Sequence, residues 1–135
     1  MFQPITGTEQ DKYTSLPMAA STTITQGMAL AFTNGYLRPV ATGTPSADKE
    51  ARYVAMESKV TAGGQNPLLK VVRTDAVTFI ADSNATADAS KVGLKVDLIN
   101  SNTIDPTSTT NKSFFIENTY GVLANKQYKG QFCVA

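Results

Sequence analysis

The chain has 135 residues, with twelve Lys and Arg against eleven Asp and Glu, a net charge of +1, no histidine and one cysteine. That length suits one domain with a modest core that needs no disulfide. The near-neutral, scattered charge offers no footprint for nucleic acid or an anionic membrane. The missing histidine removes the commonest general base and metal ligand, and a lone Cys133 excludes an intrachain disulfide and any multi-cysteine metal site.

In chain order, residues 1–17 read as an extended arm. Phe2, Pro4, Ile5, Tyr13 and Leu16 stand among polar residues without a clear period, and Gly7, Glu9, Asp11 and Pro17 argue against a helix. The start carries neither a basic nor an apolar leader region, and no apolar run approaches a membrane span. A single domain is expected from residue 18 to 135. Within it, two apolar-alternating runs flank Asn34-Gly35 between Gly27 and Val40. Asn and Gly accept the positive φ angles of a type I′ turn, so this stretch predicts a two-residue β-hairpin.

A polar loop follows from Ala41 to Glu50. Arg52–Val60 reads as a strand, residues 61–67 as a turn, Leu68–Thr74 as an apolar central strand and Ala76–Ala81 as another strand. Asp82-Ser83-Asn84 offers helix caps before an Ala-rich run to Lys91, with Gly93 beyond it, which predicts one short helix or helical turn. Strands are expected at Leu94–Ile99, Ser113–Asn118 and Gln127–Ala135, separated by a polar loop over residues 100–111 and a turn over 120–126. About eight short strands with one helical turn imply an all-β fold: a small antiparallel β-barrel, β-tulip or sandwich with an N-terminal arm.

The chemistry-bearing residues form no reactive constellation. Cys133 lacks a histidine to activate it. Glu50, Glu57, Glu117, Asp75 and Asp82 fall in or beside strands at no marked spacing, as solvated charges do. Asp82-x-Asn84-x-Thr86-x-Asp88 superficially matches a calcium loop, but Ala87 stands where Gly is needed and Gly93 where a bidentate Glu is needed. An N-capped turn accounts for the same residues. Phe114 and Phe115 are adjacent, so in a strand they point to opposite faces. No catalytic residue, cofactor site or metal site is expected.

Six segments, in this order and spacing, resemble a family. They are Ile24-Thr25-Gln26-Gly27-Met28-Ala29-Leu30, Gly35-Tyr36-Leu37-Arg38-Pro39-Val40-Ala41-Thr42, Tyr53-Val54-Ala55-Met56-Glu57, Val92-Gly93-Leu94-Lys95-Val96-Asp97-Leu98, Phe114-Phe115-Ile116 and Lys129-Gly130-Gln131-Phe132. From about residue 18 onward the chain is similar to bacteriophage head decoration, or capsid cement, proteins, which are small β-barrel or β-tulip proteins of tailed phages. Residues 1–17 match none of the family's motifs.

The resemblance implies a structural virion protein that binds the outer surface of the assembled shell. The implied partner is the major capsid protein, the implied state a homotrimer at local three-fold axes, and no enzyme activity is implied. Phe2, Pro4, Ile5, Tyr13 and Leu16 of the arm are then the expected capsid or intersubunit contacts. The alternative is a carbohydrate- or host-surface-binding β module of a head fibre or tail. A small hydrolase is the weakest reading, because no acid–base pair stands out.

Overall fold

The structure, a computed structural model, describes residues 1–7, 10–41 and 50–133. Strand accounts for 49% of the described residues and no helix among them reaches seven residues, so the all-β expectation holds. The strands are β1 (Phe2–Thr6), β2 (Tyr13–Pro17), β3 (Thr23–Ile24), β4 (Ala29–Thr33), β5 (Tyr36–Pro39), β6 (Tyr53–Ala55) and β7 (Lys59–Val60). They continue as β8 (Leu68–Arg73), β9 (Thr78–Ser83), β10 (Lys95–Asn100), β11 (Thr103–Asp105), β12 (Phe114–Thr119) and β13 (Gln127–Phe132).

Five of them close a small barrel through the circuit β9–β11–β10–β12–β13 and back to β9. The barrel is antiparallel except at β11–β9, where Thr103 and Ile104 run parallel to Asp82 and Ser83. β1 lies along the part of β9 that β11 leaves uncovered, with Phe2 opposite Ala81 and Pro4 opposite Phe79. A second sheet, β2–β8–β6–β4–β5, curls until its two ends meet. Met18 bridges Leu37 there, and the Ala19 N–H donates to the Leu37 carbonyl at 3.0 Å. β3 and β7 form a separate short pair.

Period-two alternation divides the apolar residues between two cores. Leu30, Leu37, Ala55, Leu69 and Val71 point into the curled sheet and pack with Met18 and Ile24. Their strand neighbours Ala29, Val54 and Val72 point the other way and close the barrel core around Phe79, Phe114, Ile116 and Tyr128. Three phenylalanines converge on the Phe132 ring: Phe2 at 4.7 Å, Phe79 at 5.3 Å and Phe114 at 5.3 Å. Each fully buried ring of this kind contributes about 2–3 kcal/mol by area burial alone. Phe114 is buried and Phe115 half-buried, as opposite faces of one strand require.

The Asn34-Gly35 hairpin forms as expected. Both residues have positive φ, 52° and 84°, and Thr33 pairs with Tyr36 across the turn. A Cβ on Gly35 would meet nothing, so backbone conformation alone selects glycine there.

Three expectations need correction and a fourth is refined. Residues 1–17 are not an arm beside the domain, because β1 belongs to the barrel layer and β2 to the curled sheet. The 52–60 strand breaks at residues 56–58, which lets β6 and β7 enter different sheets. The polar stretch 100–111 supplies β11. The expected short helix or helical turn forms as a single 3-10 turn at Ala89–Lys91, with its cap moved from Asp82-Ser83-Asn84 to Asp88, which accepts from the Ser90 N–H at 2.8 Å, because Asp82 and Ser83 stay in the β9 ladder. The expected loop at Thr42–Lys49 and the end of the last strand at Val134–Ala135 lie outside the described residues.

Candidate interaction surface

The five expected contact residues separate into two groups. Phe2 is fully buried, 5.9 Å from the Phe114 ring and 4.7 Å from the Phe132 ring. Leu16 packs against the core of the curled sheet. Phe2 is committed to the protein's own interior, which leaves it no surface for a partner, whereas Leu16 is half-buried and keeps part of its surface. They belong to strands whose inward positions must be apolar, and the sequence of β1 and β2 alone does not reveal that these strands have partners.

Pro4, Ile5 and Tyr13 stay accessible. Pro4 and Ile5 are half-buried, and Tyr13 is 43% exposed. Ile5 sits in a bulge, since Pro4 pairs with Phe79 and Thr6 with the adjacent Thr78. Pro4 and Tyr13 meet across a cleft of about 320 Å³, with Met1, Phe2, Gln3, Gln26 and Met56 completing its walls. A second cleft of about 280 Å³ continues from the same Tyr13 and Met56 along Ser15 and Lys70. Gln26 and Met56 fall within the resembling segments and Lys70 within the expected central strand, but nothing in the sequence marks them as contacts; Met56 reaches this seam because β6 ends at Ala55, and Lys70 reaches it from β8.

Tyr13 is held by ionic contacts at its back. Lys12, which ends the 3-10 turn Gln10–Lys12, donates to the Asp75 carboxylate at 3.0 Å and to the Asp75 carbonyl at 2.9 Å. Arg73 grips the same carboxylate with two hydrogen bonds, of 3.0 and 2.8 Å. Arg73 first and Lys12 second hold the Asp75 carboxyl far below the usual carboxylate range. The start of β2 is thereby fixed to the β8–β9 turn.

Asp97 is the buried carboxylate that sequence reasoning passed over; it is 5% exposed. Its Oδ1 accepts from the Asn111 N–H at 2.6 Å and the Lys112 N–H at 2.9 Å, while Oδ2 accepts from Ser108 Oγ and the Thr110 N–H. Burial pushes its pKa up, but the Ser108 and backbone hydrogen bonds outweigh burial and hold it below the usual range. Its donors all come from residues 108–112, so the geometry organises that loop. Asp82 is occupied too, accepting from the Met1 ammonium at 2.9 Å and from Gln127 Nε2 at 3.1 Å. With Asp88 capping a turn, the calcium-like spacing is spent on local structure.

Among the described residues no group of three or more His, Cys, Asp or Glu is placed to hold a metal ion, and no helix is long and apolar enough to cross a membrane. No known protein family, curated protein or solved structure matches the chain.

Proposed function

We propose that this protein is a structural virion component that binds the outer surface of an assembled phage capsid and stabilises the shell. The observation that carries the reading is the ordered set of six motifs resembling head decoration proteins, running from Ile24 to Phe132. In this chain those motifs build the frame of both layers: the β4–β5 hairpin, β6, β10, β12 and β13. A rigid β frame with shallow surface clefts suits recognition of a repeated lattice surface, where many weak contacts sum by multivalency. A ligand that binds only the assembled lattice shifts the assembly equilibrium toward it.

The partner is the major capsid protein, and the protein acts as a homotrimer at local three-fold axes on the virion exterior. Pro4, Ile5, Tyr13 and the accessible part of Leu16 remain as contacts from the original set. The test is co-sedimentation of the purified protein with undecorated heads of the cognate phage, beside sedimentation equilibrium of the free protein. Saturable binding at a fixed ratio per capsid subunit supports the reading. Binding to glycans or whole host cells without any binding to heads supports the host-surface alternative instead.

A further inference from the structure

We propose that the outward edge of β2, at Tyr13 and Ser15, takes up an extended strand of the partner protein, with an acidic side chain of that strand set against Lys70. The proposal rests on the capsid-binding reading and names the place and manner of contact.

The argument begins with which main-chain groups are already used. The Met18 N–H donates to the Pro67 carbonyl at 2.8 Å, and β2 and β8 pair in unbroken antiparallel register from Tyr13↔Val72 to Pro17↔Leu68. Antiparallel pairs alternate between bonded and non-bonded. Leu16 and Thr14 therefore bond to β8, and Tyr13, Ser15 and Pro17 turn their main-chain groups outward. The Met56 N–H donating to the Lys70 carbonyl confirms this phase, because Lys70 sits opposite Ser15 and bonds away from it. The 3-10 turn Gln10–Lys12 closes on the Tyr13 N–H, whereas among the described residues nothing pairs with the Tyr13 C=O or with the N–H and C=O of Ser15. Residues 13–15 are all exposed.

The neighbouring edges are closed. At the other end of the curled sheet, β5 turns Leu37 and Pro39 outward; the Leu37 carbonyl is taken by Ala19, and Pro39 has no N–H. On β1 the outward Phe2 N–H donates to the Gly27 carbonyl at 2.8 Å, Pro4 has no N–H, and Ile5 bulges. Proline, bulges and covering contacts are the usual means of blocking stray strand addition. β2 carries them at Pro17, which has no N–H and lies beside the Met18–Leu37 bridge, and lacks them at Ser15.

An open edge fits an extended chain, which gains main-chain hydrogen bonds from the edge and side-chain specificity from flanking pockets. Here the two clefts beside Tyr13 and Met56 supply the pockets. Lys70 is the one charged side chain in their lining, and it stands directly opposite Ser15. An acidic residue on the incoming strand complements it.

Three variants test this by co-sedimentation with undecorated heads of the cognate phage. Ser15→Pro removes only an outward N–H, so it should fold, and it should bind about tenfold or more weakly, the loss expected for removed interface hydrogen bonds with added obstruction. Ser15→Ala should bind as the native protein does, and Lys70→Glu should bind several-fold more weakly. A folded Ser15→Pro protein that binds like the native one overturns the β2 proposal and leaves capsid binding standing. Failure of the native protein to bind heads overturns both. Should Ser15→Pro not fold, amide hydrogen exchange of the native protein decides: at least about tenfold slower exchange of the Ser15 amide on heads supports the proposal, and unchanged exchange overturns it.

Discussion

At the scale of single residues, two buried polar groups govern local order. Asp97 gathers Ser108, Thr110, Asn111 and Lys112 around one carboxylate. Asp97→Ala leaves several of those donors without a partner, and about 2–4 kcal/mol of unfolding free energy should be lost in urea titration. Tyr128 is fully buried, and its hydroxyl accepts from the Asp88 N–H at 2.8 Å. Tyr128→Phe keeps the ring packing and orphans that N–H, so a loss of about 1–2 kcal/mol is expected by the same measurement. Neither residue stood out in the sequence. A buried carboxylate reads like any strand Asp until its loop is seen to fold back over it.

At the scale of elements, β13 depends on one glycine. Gly130 lies between β12 and β9, opposite Ile116 and Phe79, and a Cβ there would run into the Phe115 carbonyl oxygen and the Phe114 ring. Both neighbours belong to the closed barrel and cannot withdraw. Gly130→Ala should therefore cost about 2–3 kcal/mol or more, the usual range for overpacking, seen as a lowered melting temperature. β1 depends on Phe2 in the same way, and Phe2→Ala should cost about 3–5 kcal/mol. Legibility differs between these elements for a physical reason. The β4–β5 hairpin is encoded locally by two residues that tolerate positive φ. β1 and β2 owe their order to partners far along the chain, Ala81 for Phe2 and Val72 for Tyr13. Their apolar residues signalled docking correctly, but onto this chain's own sheets. β11 hid in a polar stretch because three residues suffice once neighbours on both sides supply the ladder. At the candidate surface Tyr13 and Pro4 were legible, whereas Met56 and Lys70 reach it only through the fold.

At the scale of the molecule, the acid side of the stability profile is set by carboxylates. Asp75 and Asp97 both have pKa values held below the ordinary carboxylate value of about 3.9. A depressed folded-state pKa contributes stability that is fully present above the unfolded value and is lost as pH falls through the folded one. With no histidine to titrate, the urea midpoint should stay near level from about pH 7 to 5 and fall below about pH 4. Asp75→Asn should flatten part of that fall, at a cost near neutral pH of about 1 kcal/mol, because the Asp75 carboxylate and Arg73 are half-exposed. Integration of residues 1–17 into both layers also changes how the proposed function must be probed. Deleting them removes two strands and part of both cores, so point changes at the accessible positions are the informative ones.

The proposed role as a capsid-binding protein is tested most directly by mixing the purified chain with undecorated heads of the cognate phage and following both co-sedimentation and the temperature at which the shells break. The account predicts saturable binding in fixed ratio to the capsid subunits, with a higher rupture temperature for the decorated shells. Protein that stays in the supernatant at every concentration, with an unchanged rupture temperature, would contradict it.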